Sequence, residues 1–364
     1  MHQPATIHQM GSVLAYGDAV TNHIVEIDRR LSQWGFDSRI YGADIALSPT
    51  DKAQSHTAYR PFLNNRDDVL IYHYSAYCDN YTLFQESKNR KILVYHNITP
   101  AEYYHHYDAT YELLCARGRQ VLAGLTGCDL AVGVSEYNRQ ELVATGFANT
   151  AVLPLFLGVD DFAGAERNPE LYRHLKSKEM TNVLFVGRVA PNKAFEELLK
   201  IFSVYHHHVN SRSRLILAGA RFLPRYDRFL DALVARLRLQ GSVLFTDRAP
   251  FPDLKTYFEV ADLFLCTSHH EGFCIPLLEA MYFDLPILAR AETGVPYTMG
   301  KTGVLYRRLD YPVLAEMMRL LLTDQTLRSQ ILAGQRRRLA DFAPERVELI
   351  LRDVLRAVGV PVEN

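Results

Sequence analysis

The chain has 364 residues, too many for a single hydrophobic core and about right for two domains of ordinary size. Hydrophobic residues make up 48% and charged residues 22%, which excludes a disordered chain; 40 Lys/Arg against 41 Asp/Glu give a net charge of −1, without the basic excess of a dedicated nucleic-acid binder. No apolar run reaches the roughly 18 residues of a membrane span, MHQPATIHQMGSVL lacks a basic region ahead of an apolar stretch, and five cysteines without a C-x-x-C pair argue against a disulfide framework, so a cytoplasmic location is expected.

In chain order, strand-like runs fall at 5–11, 38–43, 68–74, 91–97 and 129–135. Helical spacing separates them, as in Ala19, Val20, His23, Ile24, Ile27, Leu31 and Trp34, closed by Gly35. Near-continuous apolar strands alternating with helices predict a parallel sheet covered on both faces. A stretch holding Pro154, Gly158, Gly164 and Pro169 interrupts the pattern and reads as a connection. Strands then recur at 182–187, 214–220, 242–247, 262–267 and 285–290, with helices at 194–208 and 226–240, and residues 311–358 form a helical tail. The tail's Arg336-Arg337-Arg338 run reads as a solvated face. The expected architecture is α/β: a Rossmann-like doubly wound domain over 1–158 on the acceptor side, and a second over 159–364 that binds the donor and includes the tail. Ligand is expected in a cleft faced by the carboxyl ends of both sheets.

The densest chemical signal is HHEGFCIPLLEAMYFDLPIL at 269–288. Gly272 allows a tight turn and Pro276 suits the first turn of a helix. The amides of Phe273, Cys274 and Ile275 then form an anion site at a helix N-terminus. Glu271 and Glu279 flank that site; carboxylates beside a phosphate cradle are suited to accepting hydrogen bonds from sugar and ribose hydroxyls. A second signal, VLFVGRVAPNKAFEELL at 183–199, places Arg188 and Lys193 around a turn after Gly187, a pair that matches a pyrophosphate.

These residues resemble the donor domain of retaining glycosyltransferases of family 4, which have the GT-B fold. The family's E-G-F-G-x-P-x-x-E-A-M stands here as E-G-F-C-I-P-L-L-E-A-M from Glu271 to Met281, and its G-R-x-x-x-x-K as Gly187, Arg188 and Lys193. The resemblance covers residues 180–325 strongly and the first half weakly. It implies that Arg188 and Lys193 hold the nucleotide diphosphate, that Glu271 binds donor-sugar hydroxyls and Glu279 the ribose, and that the amides after Gly272 complete the site. In the first half it implies Gly17 near the donor phosphates and His96 near the transferred sugar. Cys274 stands where the family usually has glycine, and Tyr297 where many members have glutamate. The segments GDAVTNH, HNITP and GVDDF look most like members that build bacterial surface polysaccharides.

The implied reaction transfers a hexose, with retention, from a UDP- or GDP-sugar (GDP-mannose slightly favoured) to a glycan or lipid-linked saccharide. No Asp-x-Asp occurs, so Arg188 and Lys193 stand in for a metal, and no cofactor or metal is expected. His96 or the departing phosphate would take the acceptor's proton. A nucleotide-sugar epimerase or a degenerate, binding-only member of the same fold are the alternatives. A dehydrogenase is disfavoured by the missing G-x-G-x-x-G. Split at residue 158, the first half carries 12 Lys/Arg against 16 Asp/Glu and the second 28 against 25. The donor half is thus mildly basic, and charge lends no support to peripheral membrane contact. His105-His106, in the Tyr-rich AEYYHHYDATYE, reads either as an aromatic acceptor platform or as an amphipathic helix packed on the sheet.

Overall fold

A computed structural model describes residues 5–15, 17–48, 50–176 and 179–362. Residues 1–4, which open the segment judged against a leader peptide, and residues 363–364, which end the expected second domain, lie outside the described residues. The chain divides into two compact units. The first holds residues 1–102, 110–156 and 342–364; the second holds 103–109 and 157–341.

The first unit is a seven-stranded parallel sheet of β1 (Ile7–Ala15), β2 (Ser38–Leu47), β3 (Ala53–Ser55), β4 (Val69–Tyr74), β5 (Arg90–Tyr95), β6 (Leu130–Gly133) and β7 (Thr150–Val152). Its order is β3-β2-β1-β4-β5-β6-β7. β4 is buried along its whole length because helices cover both faces, which is why its sequence VLIYHY shows no alternation. The core is rich in tyrosine, and each ring has a polar outlet. Tyr72 donates to Asn80 Oδ1 at 2.8 Å and Tyr74 to Gly118 O at 2.6 Å.

The second unit is a six-stranded parallel sheet of β8 (Thr181–Val186), β9 (Ser213–Ala218), β10 (Val243–Asp247), β11 (Leu263–Cys266), β12 (Ile287–Arg290) and β13 (Val304–Tyr306), in the order β10-β9-β8-β11-β12-β13. Both sheets therefore reverse direction beside their first strand, between β1 and β4 and between β8 and β11, which is the doubly wound topology. β8 and β9 approach so closely beyond their ends that a Cβ on Gly219 would meet Gly187 O at 2.0 Å. Only glycine fits there.

Ten of these strands were expected. β3, β7 and β13 were not: each spans three residues at or near a sheet edge, too few to generate a period. The domain division also differs from expectation. The units part between Phe156 and Leu157, and the last stretch, 342–364, belongs to the first unit. The cause is the helix Pro344–Ala357. It buries Val347, Leu351 and Leu355 completely, and its Glu348 pairs with Arg30 Nε at 3.0 Å. Arg90 Nη1 donates to Gly359 O at 2.9 Å, and Arg352 lies 4.0 Å from the Trp34 ring centre.

The connection is held by the second unit. Lys255 Nζ donates to Phe162 O at 2.8 Å and Ala165 O at 2.7 Å, while the Phe162 ring packs on Phe251 and Phe283. Segment 103–109 also joins the second unit, with Tyr107 edge-on to Tyr226 at 5.0 Å and Tyr103 near His269 and His270. The arginine run is only partly solvated. Arg336 is exposed and pairs with Asp284, but Arg338 is 22% exposed and donates to Thr298 O and Tyr297 O. No helix of the described residues is long and apolar enough to cross a membrane.

Candidate donor site

Because β8 and β11 are neighbours, paired at Leu263↔Val183 and Phe264↔Leu184, the two motif loops emerge side by side at their carboxyl ends. The loops are stitched together by backbone and amide bonds. Asn192 O accepts from His269 N at 2.9 Å and His270 N at 3.2 Å, and Asn192 Nδ2 donates to His270 O at 3.0 Å. Thr267 Oγ1 donates to Lys193 O and Ala194 O. A third loop, after β12, closes on them: Thr293 Oγ1 accepts from Glu271 N at 2.8 Å, and Gly294 N donates to Glu271 O at 3.0 Å. At Gly294 a Cβ would sit 2.3 Å from Gly272 O, so this packing demands glycine. Asn192, Thr267, Thr293 and Gly294 were not singled out from sequence. They act through loop-to-loop bonds between distant segments, which leave no local pattern.

Lys193 and Glu271 meet directly, with Nζ 2.6 Å from Oε2 and the carboxylate nearly enclosed. The ammonium thus offsets the charge that would otherwise repel a phosphate. Arg188 is exposed, lies 5.4 Å from the Phe222 ring centre, and has no ion-pair partner among the described residues. Gly187 directly follows β8 and opens this loop.

The helix Ile275–Tyr282 begins at Cys274, which adopts a left-handed conformation with φ 69°. Glycine would take this geometry without strain, so cysteine here bears a steric cost of about 1–2 kcal/mol. The amides of Cys274 and Ile275 have no hydrogen-bond partner among the described residues. Phe273 is buried, and its carbonyl accepts from Thr298 Oγ1. Gly272 lies half-buried between Glu271 and Phe273.

Glu279, one turn into that helix, has the most unusual environment. Its Oε2 is fully enclosed and has no hydrogen-bond partner among the described residues. Burial, with no opposing charge close by, pushes the carboxyl up to about 7. A buried carboxylate oxygen left unpaired costs free energy that a donated hydroxyl would recover.

Behind Glu271, Cys266 at the end of β11 and Cys274 are both buried free thiols. Their sulfurs and a Glu271 oxygen lie within 4.8 Å of one another. Two sulfurs and a carboxylate form a set that a thiophilic cation can use, but Lys193 already occupies the carboxylate. Contact between the thiols pushes Cys266 down and Cys274 up.

On the first unit, Gly17 follows β1 with φ 73° and faces open space on its Cβ side. The next residue, Asp18, caps the helix Ala19–Gln33 by accepting from Val20 N and Thr21 N. Those amides are therefore already satisfied by a carboxylate. His96 follows β5 and is half-buried. Its loop is anchored: Asn97, with φ 79°, donates through Nδ2 to Asn138 Oδ1 and Glu141 Oε2, each at 2.8 Å. Burial drives His96 down to about 3, so the imidazole is neutral at physiological pH and a weak proton acceptor.

Residues 168–338 match the family described as glycosyl transferases group 1. Among similar curated proteins, the serotype-specific mannosyltransferase WbdA of Escherichia coli is 25% identical over 227 residues, 61% of this chain and 28% of that protein. The O-antigen chain mannosyltransferase B of E. coli is 31% identical over 121 residues, 33% of this chain and 31% of that protein. The chain thus spans less than a third of the length of either relative. Among solved structures, Anabaena Alr3699/HepE in complex with UDP-glucose superposes with a TM-score of 0.74 at 14% identity, covering 97% of this chain and 99% of that one. WaaG, a glycosyltransferase involved in lipopolysaccharide biosynthesis, gives 0.69 at 16% identity over 97% and 100%. Two doubly wound units, motif loops joined at the switch point of the second, and these likenesses lead to one conclusion: the chain has the GT-B fold and carries a glycosyltransferase group 1 domain.

Proposed function

We propose that this chain is a retaining glycosyltransferase that moves a hexose from a nucleotide-diphosphate sugar to a glycan or lipid-linked saccharide, without a metal. The observation that carries the reading is the enclosed Glu279 Oε2, which has no hydrogen-bond partner among the described residues, on the same motif as the Lys193–Glu271 pair. A ribose hydroxyl donating to Glu279 would satisfy an atom that the protein leaves unsatisfied. Arg188 and Lys193 would grip the diphosphate, with the amides of Cys274 and Ile275 turned to the same anion. Glu271, held by Lys193, would accept from sugar hydroxyls. Gly17 and His96 keep the roles that the family resemblance implies.

As the bond between the anomeric carbon and the phosphate oxygen breaks, charge grows on the leaving oxygen. Fixed cations and unpaired amides favour that state over the intact donor. With His96 so poor a base, the departing phosphate takes the proton of the acceptor hydroxyl. WbdA and the O-antigen enzyme are mannosyltransferases, which favours a mannosyl donor, whereas HepE was solved with UDP-glucose. The test is a thermal-shift panel of UDP-, GDP-, ADP- and dTDP-sugars with the free nucleotides. A true donor at 100 times its Kd adds about 2.7 kcal/mol of stability. If no nucleotide shifts the melt, the donor reading fails. A ligand that binds without turnover on any saccharide acceptor would favour the binding-only alternative.

A further inference from the structure

The first unit buries a set of polar side chains in strands that are otherwise apolar. Gln9 on β1, His73 on β4 and His96 after β5 form a chain of hydrogen bonds, with His23 of the helix Ala19–Gln33 packed against it. Gln9 and His73 are inaccessible to solvent, at 0% and 1% exposure. None of these side chains except His96 is called for by the donor-site chemistry.

The direction of the chain follows from its one unambiguous member. Gln9 Nε2 lies 3.1 Å from Ile24 O. A carbonyl only accepts, so the amide nitrogen points to Ile24 and Gln9 Oε1 points to His73. That oxygen is 3.1 Å from His73 Nε2 and also only accepts. His73 Nε2 therefore carries the proton. Burial pushes His73 well below its ordinary range, so its ring is neutral and Nδ1 must be a bare acceptor. His73 Nδ1 lies 3.1 Å from His96 Nε2, which must then be the donor. A neutral ring with its proton on Nε2 has a lone pair on Nδ1. His96 Nδ1 has no hydrogen-bond partner among the described residues.

We infer that Gln9 and His73 are positioning residues that lock His96 in its Nε2–H tautomer, so that its Nδ1 accepts a hydrogen bond from a substrate hydroxyl. The tautomer stands on the bonds above; the hydroxyl as partner rests on the function proposed for the chain. A histidine free to flip would offer a donor half the time and lose the distinction between a hydroxyl's hydrogen and its lone pairs. His23 extends the polar cluster. Both its ring nitrogens are buried without a hydrogen-bond partner among the described residues, and its ring centre is 5.6 Å from that of His96.

The experiment is two-bond proton–nitrogen correlation spectroscopy on the full chain labelled with 15N-histidine, with His96 assigned by its disappearance in His96→Gln. In the wild type, His96 and His73 are expected to show a protonated Nε2 and a bare Nδ1. Gln9→Leu removes the acceptor that orients His73 and should leave His96 as a mixture of tautomers. Gln9→Glu keeps an acceptor oxygen and should restore the single form. A wild-type His96 protonated on Nδ1 overturns the inference, as does a pattern that Gln9→Leu leaves unmoved. Should Gln9→Leu fail to fold, the wild-type spectrum alone decides the tautomer. Added UDP-glucose or GDP-mannose should move the Nδ1 resonance of His96 without protonating it. Because the apo spectrum needs no donor, failure of the tautomer and failure of the proposed function are separate results.

Discussion

Replacing Glu279 by glutamine tests the donor site through stability alone, before any substrate is known. The carboxyl titrates near 4.5 when unperturbed and is pushed up to about 7 in the folded chain. Between those values the folded protein holds a proton that the unfolded chain has released. Stability from this group is therefore full below about pH 4.5, falls as pH rises through 7, and is constant above. At roughly 1.4 kcal/mol per pH unit across that span, the loss amounts to ~3 kcal/mol as an upper figure. Glu279→Gln has no such proton to lose. Its melting temperature minus that of the wild type should rise by several degrees from pH 4.5 to pH 8, whatever constant offset the amide introduces. Differential scanning calorimetry on both proteins reads this difference directly, and other titrating groups cancel because they are shared. A saturating nucleotide whose hydroxyls donate to the carboxylate should lower its pKa and flatten the difference. Parallel profiles for the two proteins would show that Glu279 is not held in an uncompensated burial, and would remove the observation on which the proposed function rests.

Three further outcomes follow from the same geometry. Gly294→Ala places a methyl 2.3 Å from Gly272 O while its φ of −75° suits alanine, so steric overlap alone should cost about 1–3 kcal/mol in urea unfolding; an unchanged midpoint would contradict the loop packing. Lys193→Ala should weaken nucleoside diphosphates about 10- to 100-fold by calorimetry, from loss of a charge-assisted bond, and should affect the free nucleoside far less. An equal loss for both would place Lys193 away from the phosphates. Ending the chain after Asp341 deletes the helix that buries Val347, Leu351 and Leu355 in the first unit. At about 1.5–3 kcal/mol per buried side chain, this rivals a domain's whole stability. Limited proteolysis should then degrade the first unit and spare the second.

Local signals carried most of what could be read from the chain. Strands long enough to be buried on both faces announced themselves as apolar runs, and Gly272, Pro276, Glu271 and Glu279 stand within one contiguous motif whose turn and helix are specified by neighbours in sequence. What only the tertiary structure decided are relations between distant segments. The pairing of β8 with β11 sets Lys193 against Glu271, 78 positions apart in sequence, and brings Asn192 under the second loop. The C-terminal helix joins the first unit because its apolar stripe and Glu348 find partners there, a choice that helical spacing alone leaves open. The tautomer of His96 depends on Gln9 and on the carbonyl of Ile24, residues 87 and 72 positions upstream. Periodicity reports what a residue does for its own element; long-range hydrogen bonds and burial arise only once the sheet has ordered its strands, and the chemistry of this site lies in those.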